Sequence, residues 1–245
     1  MVTTISDNDA TPTVTLTSSD VSVAENLGAA TLTATLSLGA GSATTVSLNI
    51  SGNATLNTDY SVSSTSIIIP AGSTSGTATA TAFADQVDEE SETITVDVSG
   101  VSGGNGASES GNQQVSITIT DDDTAAFTVT QSSGSTSVAE SGSSDDFTVV
   151  LGSEPTGNVV FDLSASDSTE ATLSASTLTF TSSNWNSAQT VTVTGVNDNV
   201  SDDNVTSTIT VAINQGSTND AKYDALSSQS VSVTTTDGVD AATFT

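Results

Sequence analysis

The chain contains no cysteine and no histidine, and Lys222 is the only basic residue among 245. Against that one cation stand 29 acidic residues, giving a formal charge of −28. Nucleic acid is excluded as a partner, because nothing here neutralises phosphate. An anionic membrane surface is disfavoured for the same reason unless cations bridge it. No apolar run approaches the roughly 18–20 residues of a membrane span, so no membrane insertion is expected, and no basic-then-apolar segment is read near the start. Without cysteine there is no disulfide framework, although an extracellular location would permit one. Without histidine, cysteine or arginine the usual nucleophilic triads cannot be assembled, and no enzymatic role is expected. A paired-carboxylate glycosidase would need an aromatic-lined cleft, and the chain holds one Trp and two Tyr. Such low aromatic content implies light, aliphatic cores.

What the sequence does have is repetition. Val115-Ser116-Ile117-Thr118-Ile119-Thr120 runs into Asp121-Asp122-Asp123, Thr3-Thr4-Ile5-Ser6 into Asp7-Asn8-Asp9, and Val231-Ser232-Val233-Thr234-Thr235-Thr236 into Asp237-Gly238-Val239-Asp240. Asp7, Asp121 and Asp237 stand 114 and 116 residues apart, close to the usual domain size of roughly 100–150 residues. The reading is of two tandem repeats, 10–123 and 124–240, with the end of a preceding repeat at 1–9 and the start of a following one at 241–245. Met1 stands just ahead of a repeat end, so a start inside a longer protein is expected. The linker Asp123-Thr124-Ala125-Ala126-Phe127 is short, which implies units placed end to end with acids at the seam.

Alternation of apolar and polar residues dominates both repeats. Ala30, Leu32, Ala34, Leu36 and Leu38 fall on one face of a segment whose other face is Thr31, Thr33, Thr35 and Ser37. Val46-Leu48-Ile50, Ile94-Val96-Val98, Phe147-Val149-Leu151 and Ile209-Val211-Ile213 show the same period of two, the mark of half-buried strands. No segment shows a 3.6-residue period, so helix content should be minimal. Some seven short strands per repeat, separated by Gly, Asn, Ser and Asp, predict an all-β fold of two tandem immunoglobulin-like antiparallel β-sandwiches.

The acids of the first repeat are segregated to strand ends and loops: Glu25, Asp59, the run Asp85-Gln86-Val87-Asp88-Glu89-Glu90-Ser91-Glu92, and Asp121-Asp122-Asp123. A sandwich brings alternate loops together at one end, where these segments are expected to converge. Two carboxylates about 4 Å apart repel by roughly 1 kcal/mol in water and about 4 kcal/mol at an effective dielectric of 20. Six or more together need a cation. Calcium fits best, since it takes 6–8 hard oxygen ligands in a flexible geometry, and magnesium, with its tighter octahedral demand, ranks second. Zinc or copper would recruit His or Cys. An EF-hand does not fit, because no helix flanks the acids.

In order along the chain, Val23-Ala24-Glu25-Asn26-Leu27-Gly28, Thr58-Asp59-Tyr60, Ile69-Pro70-Ala71-Gly72, the Asp85 to Glu92 run and the terminal Asp triplet resemble the Calx-beta domain family over residues 10–123. The resemblance implies calcium ligands at Glu25, Asp59, Asp85, Glu89, Glu92, Asp121, Asp122 and Asp123, with the Val87 carbonyl contributing. Asp88 and Glu90 are as easily solvated. The second repeat matches more weakly. Val138-Ala139-Glu140 repeats the first motif, Asn197-Asp198-Asn199-Val200-Ser201-Asp202-Asp203 stands where the Asp85 run should be, Asp167 or Glu170 replaces Asp59, and the closing triplet is reduced to Asp237 and Asp240. Glu140, Asp198, Asp202 and Asp237 are its expected ligands, for fewer ions or lower affinity.

Some features are set aside. The exposed Thr runs at 77–81 and 190–194 are read as ordinary strand faces, Trp185 as packed at a strand edge or loop, and Tyr60 and Tyr223 as rim packing. Lys222 lies in a loop-like stretch and is not read as an isopeptide donor. Together these readings favour a calcium-binding structural repeat of a secreted or surface-anchored bacterial adhesin, with calcium stiffening the seams. The expected partners are neighbouring repeats of the same chain and a cell-surface or matrix ligand. Two other classes remain open: a carbohydrate- or protein-binding module, and an accessory region of a large secreted enzyme.

Overall fold

The computed structural model describes residues 10–197 and 203–238. Asp198 and Asp202, the repeat fragments at 1–9 and 241–245, and Asp240 lie outside the described residues. The chain forms two compact units, one of residues up to 85 together with 89–122, the other of Gln86–Asp88 together with Asp123 onward.

The first unit contains β1 (Thr13–Ser18), β2 (Ser22–Ala24), β3 (Ala29–Leu36), β4 (Thr44–Gly52), β5 (Tyr60–Val62), β6 (Ser66–Ile69), β7 (Ser75–Ala82), β8 (Glu92–Gly103), β9 (Ser108–Glu109) and β10 (Gln114–Thr120). They make two five-stranded sheets, ordered β5-β7-β3-β1-β9 and β2-β10-β8-β4-β6. Alternation works as expected: Ala30, Leu32, Ala34 and Leu36 of β3 point inward, and Val46 and Leu48 of β4, Ile94 and Val96 of β8 and Ile117 of β10 are buried. Leu38 is an exception, 49% exposed just beyond the end of β3.

In the second unit the strands are β11 (Phe127–Gln131), β12 (Thr136–Ala139), β13 (Ser144–Leu151), β14 (Val159–Ala165), β15 (Ala171–Leu173), β16 (Thr177–Phe180), β17 (Gln189–Gly195), β18 (Val205–Ile213) and β19 (Gln229–Thr236). They form a four-stranded sheet, β11-β13-β17-β15, and a five-stranded one, β12-β19-β18-β14-β16. Phe161 sits at its centre, edge-on to Phe127 and Phe180 with ring centroids 4.8 and 5.8 Å away.

The all-β sandwich reading holds, with three refinements. There are more strands than seven per unit, because two- and three-residue edge strands are too short to show a period. Pairing is not wholly antiparallel: β9 lies parallel to β1, β2 to β10 and β12 to β19. The stretch around Lys222 is a one-turn helix, α1 (Ala221–Asp224), whose first amides at Lys222 and Tyr223 donate to the Asp220 side chain. That cap satisfies donors a helix start otherwise leaves open. Trp185 and Tyr223 are core residues, 8% and 1% exposed, and Tyr60 is 2% exposed. Among the described residues no helix is long and apolar enough to cross a membrane.

Candidate metal centre

Strand register brings the first unit's acids together. Val23 and Ala24 of β2 pair with Ile119 and Thr120 of β10, so the residues that follow, Glu25 and Asp121, emerge side by side. Glu92 opens β8 opposite Ile119. From the other sheet, Tyr60 of β5 pairs with Ala82 of β7, which sets Asp59 and Asp85 at the same end. Two backbone bonds extend the β3–β7 and β5–β7 ladders to that end: the Ala82 N–H donates to the Gly28 carbonyl (2.9 Å) and the Phe83 N–H to the Asp59 carbonyl (2.8 Å).

The Glu25 turn is built tightly. Gly28 donates its N–H to the Ala24 carbonyl at 3.0 Å, and a Cβ at Gly28 would fall 2.4 Å from that oxygen. Leu27 adopts a left-handed φ of 59° while 66% exposed, a conformation costing an L-residue roughly 1–2 kcal/mol. Strain of this kind is tolerated where the surroundings fix the turn, here the turn that carries Glu25.

These loops enclose a small cleft, with about 10 Å³ free within it, lined by Glu25, Asp59, Asp85, Glu89, Glu90, Glu92 and Asp121 against Phe83 and Ile119. Free space of that order is about one water-sized sphere. No basic side chain lines it. The Asp85 N–H donates to Glu25 Oε1 (3.1 Å) and the Glu89 N–H to Asp121 Oδ2 (3.2 Å), so the backbone of the acidic run is already fastened to two of the carboxylates. Thr55 N–H donates to Asp59 Oδ2 (2.5 Å).

Electrostatic stress shows in the protonation of the cluster. Burial pushes the Glu25 carboxyl up to about 7, with repulsion from Asp85, Asp121 and Glu89 adding to it against the opposing Asp85 N–H. Burial also raises Glu92 to about 7, helped by its hydrogen bond to Asp59 and by the charges of Asp59 and Glu89. Glu89 is raised too, by burial and then by Asp85, Asp59 and Asp121. Among the described residues no three carboxylates stand in finished metal-ligating geometry, as expected of like charges that repel and share protons. The donor set itself is all oxygen and flexible, and suits a hard divalent cation.

Of the residues singled out in the sequence, Glu25, Asp59, Asp85, Glu89, Glu92 and Asp121 line the cleft, whereas Val87, Asp122 and Asp123 do not. Val87 falls in the tripeptide Gln86–Asp88 that groups with the second unit, where it bridges to Glu154 and where Asp88 pairs with Lys222 at 3.3 Å. Glu90, left open between ligand and solvated acid, lines the cleft, as does Phe83, which carries no sequence signal beyond following β7. Loop acids two residues apart differ in destination according to the turn, which spacing alone does not reveal.

The second unit repeats part of the arrangement. Ala139 pairs with Thr236, placing Glu140 beside Asp237, and the Gly238 N–H donates to Glu140 Oε2 at 3.1 Å. Glu170, immediately before β15, occupies the place of Asp59 and is 4% exposed, as Glu140 is 3%. Asp167 serves a turn instead, accepting from the Thr169 N–H and hydroxyl, bonds that hold its carboxyl below the usual range.

The Calx-beta domain model matches residues 7–123 and again 121–239. No curated protein matches the chain. Among solved structures, the apo form of the Calx CBD1 domain is 19% identical, covering 46% of this chain and 100% of that one, with a TM-score of 0.41. The calcium binding domain CBD12 of CALX1.1 is 17% identical over 79% of this chain and 77% of that one, TM-score 0.39. Domains 4 and 5 of the S-layer protein SbsC are 17% identical over 91% and 97%, TM-score 0.35. Because the family model covers both repeats, the chain belongs to the Calx-beta domain family as a tandem pair.

Proposed function

We propose that this chain is a non-catalytic, calcium-binding structural repeat of a secreted or surface-anchored bacterial adhesin-like protein, in which calcium stiffens the junctions between units. The observation that carries the reading is the first unit's cleft, where seven carboxylates converge with no basic side chain among them. Calcium bound there would supply the positive charge that this chain lacks. Glu25, Asp59, Asp85, Glu89, Glu92 and Asp121 would hold it, with Glu90 within the same lining. Asp121 lies two residues before the second unit begins at Asp123, so fixing Asp121 fixes the start of the linker. The setting proposed is extracellular, where weak calcium sites fill at about 10⁻⁴–10⁻³ M, with neighbouring repeats and a cell-surface or matrix ligand as partners.

Calcium titration by calorimetry, paired with small-angle scattering with calcium and with EDTA, tests this directly. Expected are a calcium-binding heat lost in Asp85→Asn and a narrower distribution of radii when calcium is present. No binding heat and identical scattering in both conditions would sink the proposal. Surface labelling of intact source cells with an antibody to the folded pair checks the location.

A further inference from the structure

Between the end of β8 at Gly103 and the start of β9 at Ser108 runs Gly104-Asn105-Gly106-Ala107, which holds the one Asn-Gly step in the chain, Asn105-Gly106. Gly103, Gly104, Asn105 and Gly106 have positive φ, 77°, 56°, 55° and 83°. Asn105 and Gly106 are the central residues of a tight turn closed by the Ala107 N–H to the Gly104 carbonyl at 3.2 Å, the backbone that Asn-Gly favours. Asn105 is exposed, a Cβ built on Gly106 would meet nothing within 4 Å, and the Ser42 hydroxyl donates to Asn105 Oδ1 at 3.1 Å.

We infer that Asn105 is a site of self-modification in the folded protein, converted to aspartate and isoaspartate through a succinimide. The Gly106 amide nitrogen, giving up its proton to solvent base, attacks Asn105 Cγ. The Cγ–N bond forms, the Cγ–Nδ2 bond breaks and ammonia leaves with the proton it needs. Water then opens the ring at either carbonyl, giving an ordinary aspartate at this position or the isomer whose backbone runs through the side chain. Ser42 is a positioning residue: its hydroxyl already donates to the oxygen on which negative charge develops during the attack, an oxyanion contact in miniature. The Gly106 N–H is held by the Gly103 carbonyl at 3.1 Å, so this bond must open in a rapid equilibrium before the attack, which makes the overall step slow.

The consequence is local. Asn105 borders a cleft of about 340 Å³ between Ala10-Thr11-Pro12 and Leu38-Gly39-Ala40, lined by no charged residue. Conversion places a carboxylate there, and the isomer lengthens the turn that delivers Ser108 of β9 to Thr13 of β1.

The test is peptide mapping of the full chain, folded and incubated in mildly alkaline buffer, with isoaspartate detected by enzymatic methylation. Asn105 should convert to both products, Asn105→Gln should stay unmodified, and Ser42→Ala should convert roughly twofold to tenfold more slowly, the range of one neutral hydrogen bond. A purely structural role for Ser42 would loosen the turn and speed conversion, the opposite sign. An intact Asn105 in the folded chain under conditions that convert the urea-unfolded chain overturns the proposal, as does an unchanged or faster rate in Ser42→Ala.

Discussion

In the first unit Leu32, Val46 and Ile69 occupy core positions that strand register matches to Phe147, Phe161 and Phe180 in the second. Ala30, Ala34, Ala78 and Ala80 fill out the first core, whereas the second adds Trp185 and Tyr223. The acids are distributed the other way: the first unit's cleft has seven carboxylates, and the second keeps Glu140, Glu170 and Asp237 among its described residues. Two domains of one fold thus divide the work of stability differently. The second rests on aromatic burial, and the first has a lighter core combined with an end whose carboxylates repel one another.

The largest effect should come from the second core. Phe161→Ala removes a fully buried ring and both edge contacts, which costs about 3–5 kcal/mol, and the loss should be the same with or without calcium. Val46→Ala, at the matching position of the first unit, deletes two methyl groups' worth of burial, about 2 kcal/mol. Scanning calorimetry resolving two transitions checks both. Equal losses would erase the contrast between the cores.

Calcium should then act on the first unit. At about 100 times the dissociation constant, ligand contributes roughly 2.7 kcal/mol, and Asp121→Asn should abolish the calcium-dependent rise in its melting temperature. Glu140→Gln should move the second unit's response less. The reverse ranking would place the functional site in the wrong unit.

Proton linkage sharpens the same point. Glu25 and Glu92 rise from 4.5 to about 7 on folding, so between those values the folded, metal-free unit holds protons that the unfolded chain has released. Its stability from these groups is greatest below about pH 4.5 and is lost as pH rises through about 7. Calcium reverses the sign, because its ligands must be deprotonated. Apparent affinity should strengthen about tenfold per group from about pH 6 to about pH 8, roughly 100-fold for both. Glu25→Gln should reduce the slope of log affinity against pH by one proton, and an unchanged slope would remove Glu25 from the site.

How far the sequence foretold this depends on the length scale of each feature. Strands such as β3 and β8 announce themselves by alternation, and Glu25, Asp59 and Asp121 by their places at strand ends. The three-residue β2 cannot show a period, yet its parallel pairing with β10 is what sets Glu25 beside Asp121. Within the acidic run, Asp85 and Glu89 turn into the cleft while Gln86–Asp88 groups with the other unit, a division set by turn geometry rather than residue type. From sequence, Trp185 reads as packed at a strand edge or loop and Tyr223 as rim packing, whereas both are core residues. Their burial follows from tertiary contacts, as when the Tyr223 hydroxyl donates to the Ser153 carbonyl at 2.7 Å and accepts from its N–H at 3.0 Å.

The smallest effect tests whether either core is well packed. Ser207 of β18 is 2% exposed and Thr44 of β4 is 0% exposed, and among the described residues neither hydroxyl has a hydrogen-bond partner. Register matches Ser207, opposite Val233, to Ile94, opposite Ile117, so the aromatic core carries a polar atom where the aliphatic one carries a full side chain. A buried hydroxyl without a partner forfeits its hydration, a penalty of about 1–3 kcal/mol. Ser207→Ala and Thr44→Val remove that penalty while keeping most of the volume, and each should stabilise its own unit by about 1 kcal/mol, a rise of roughly 4 °C in melting temperature. Calcium should leave both gains unchanged, since neither residue lines the cleft. A gain from Thr44→Val that disappears when calcium is added would mean that the first core tightens on metal binding, and the division of labour between packing and charge would then run through one unit rather than between two.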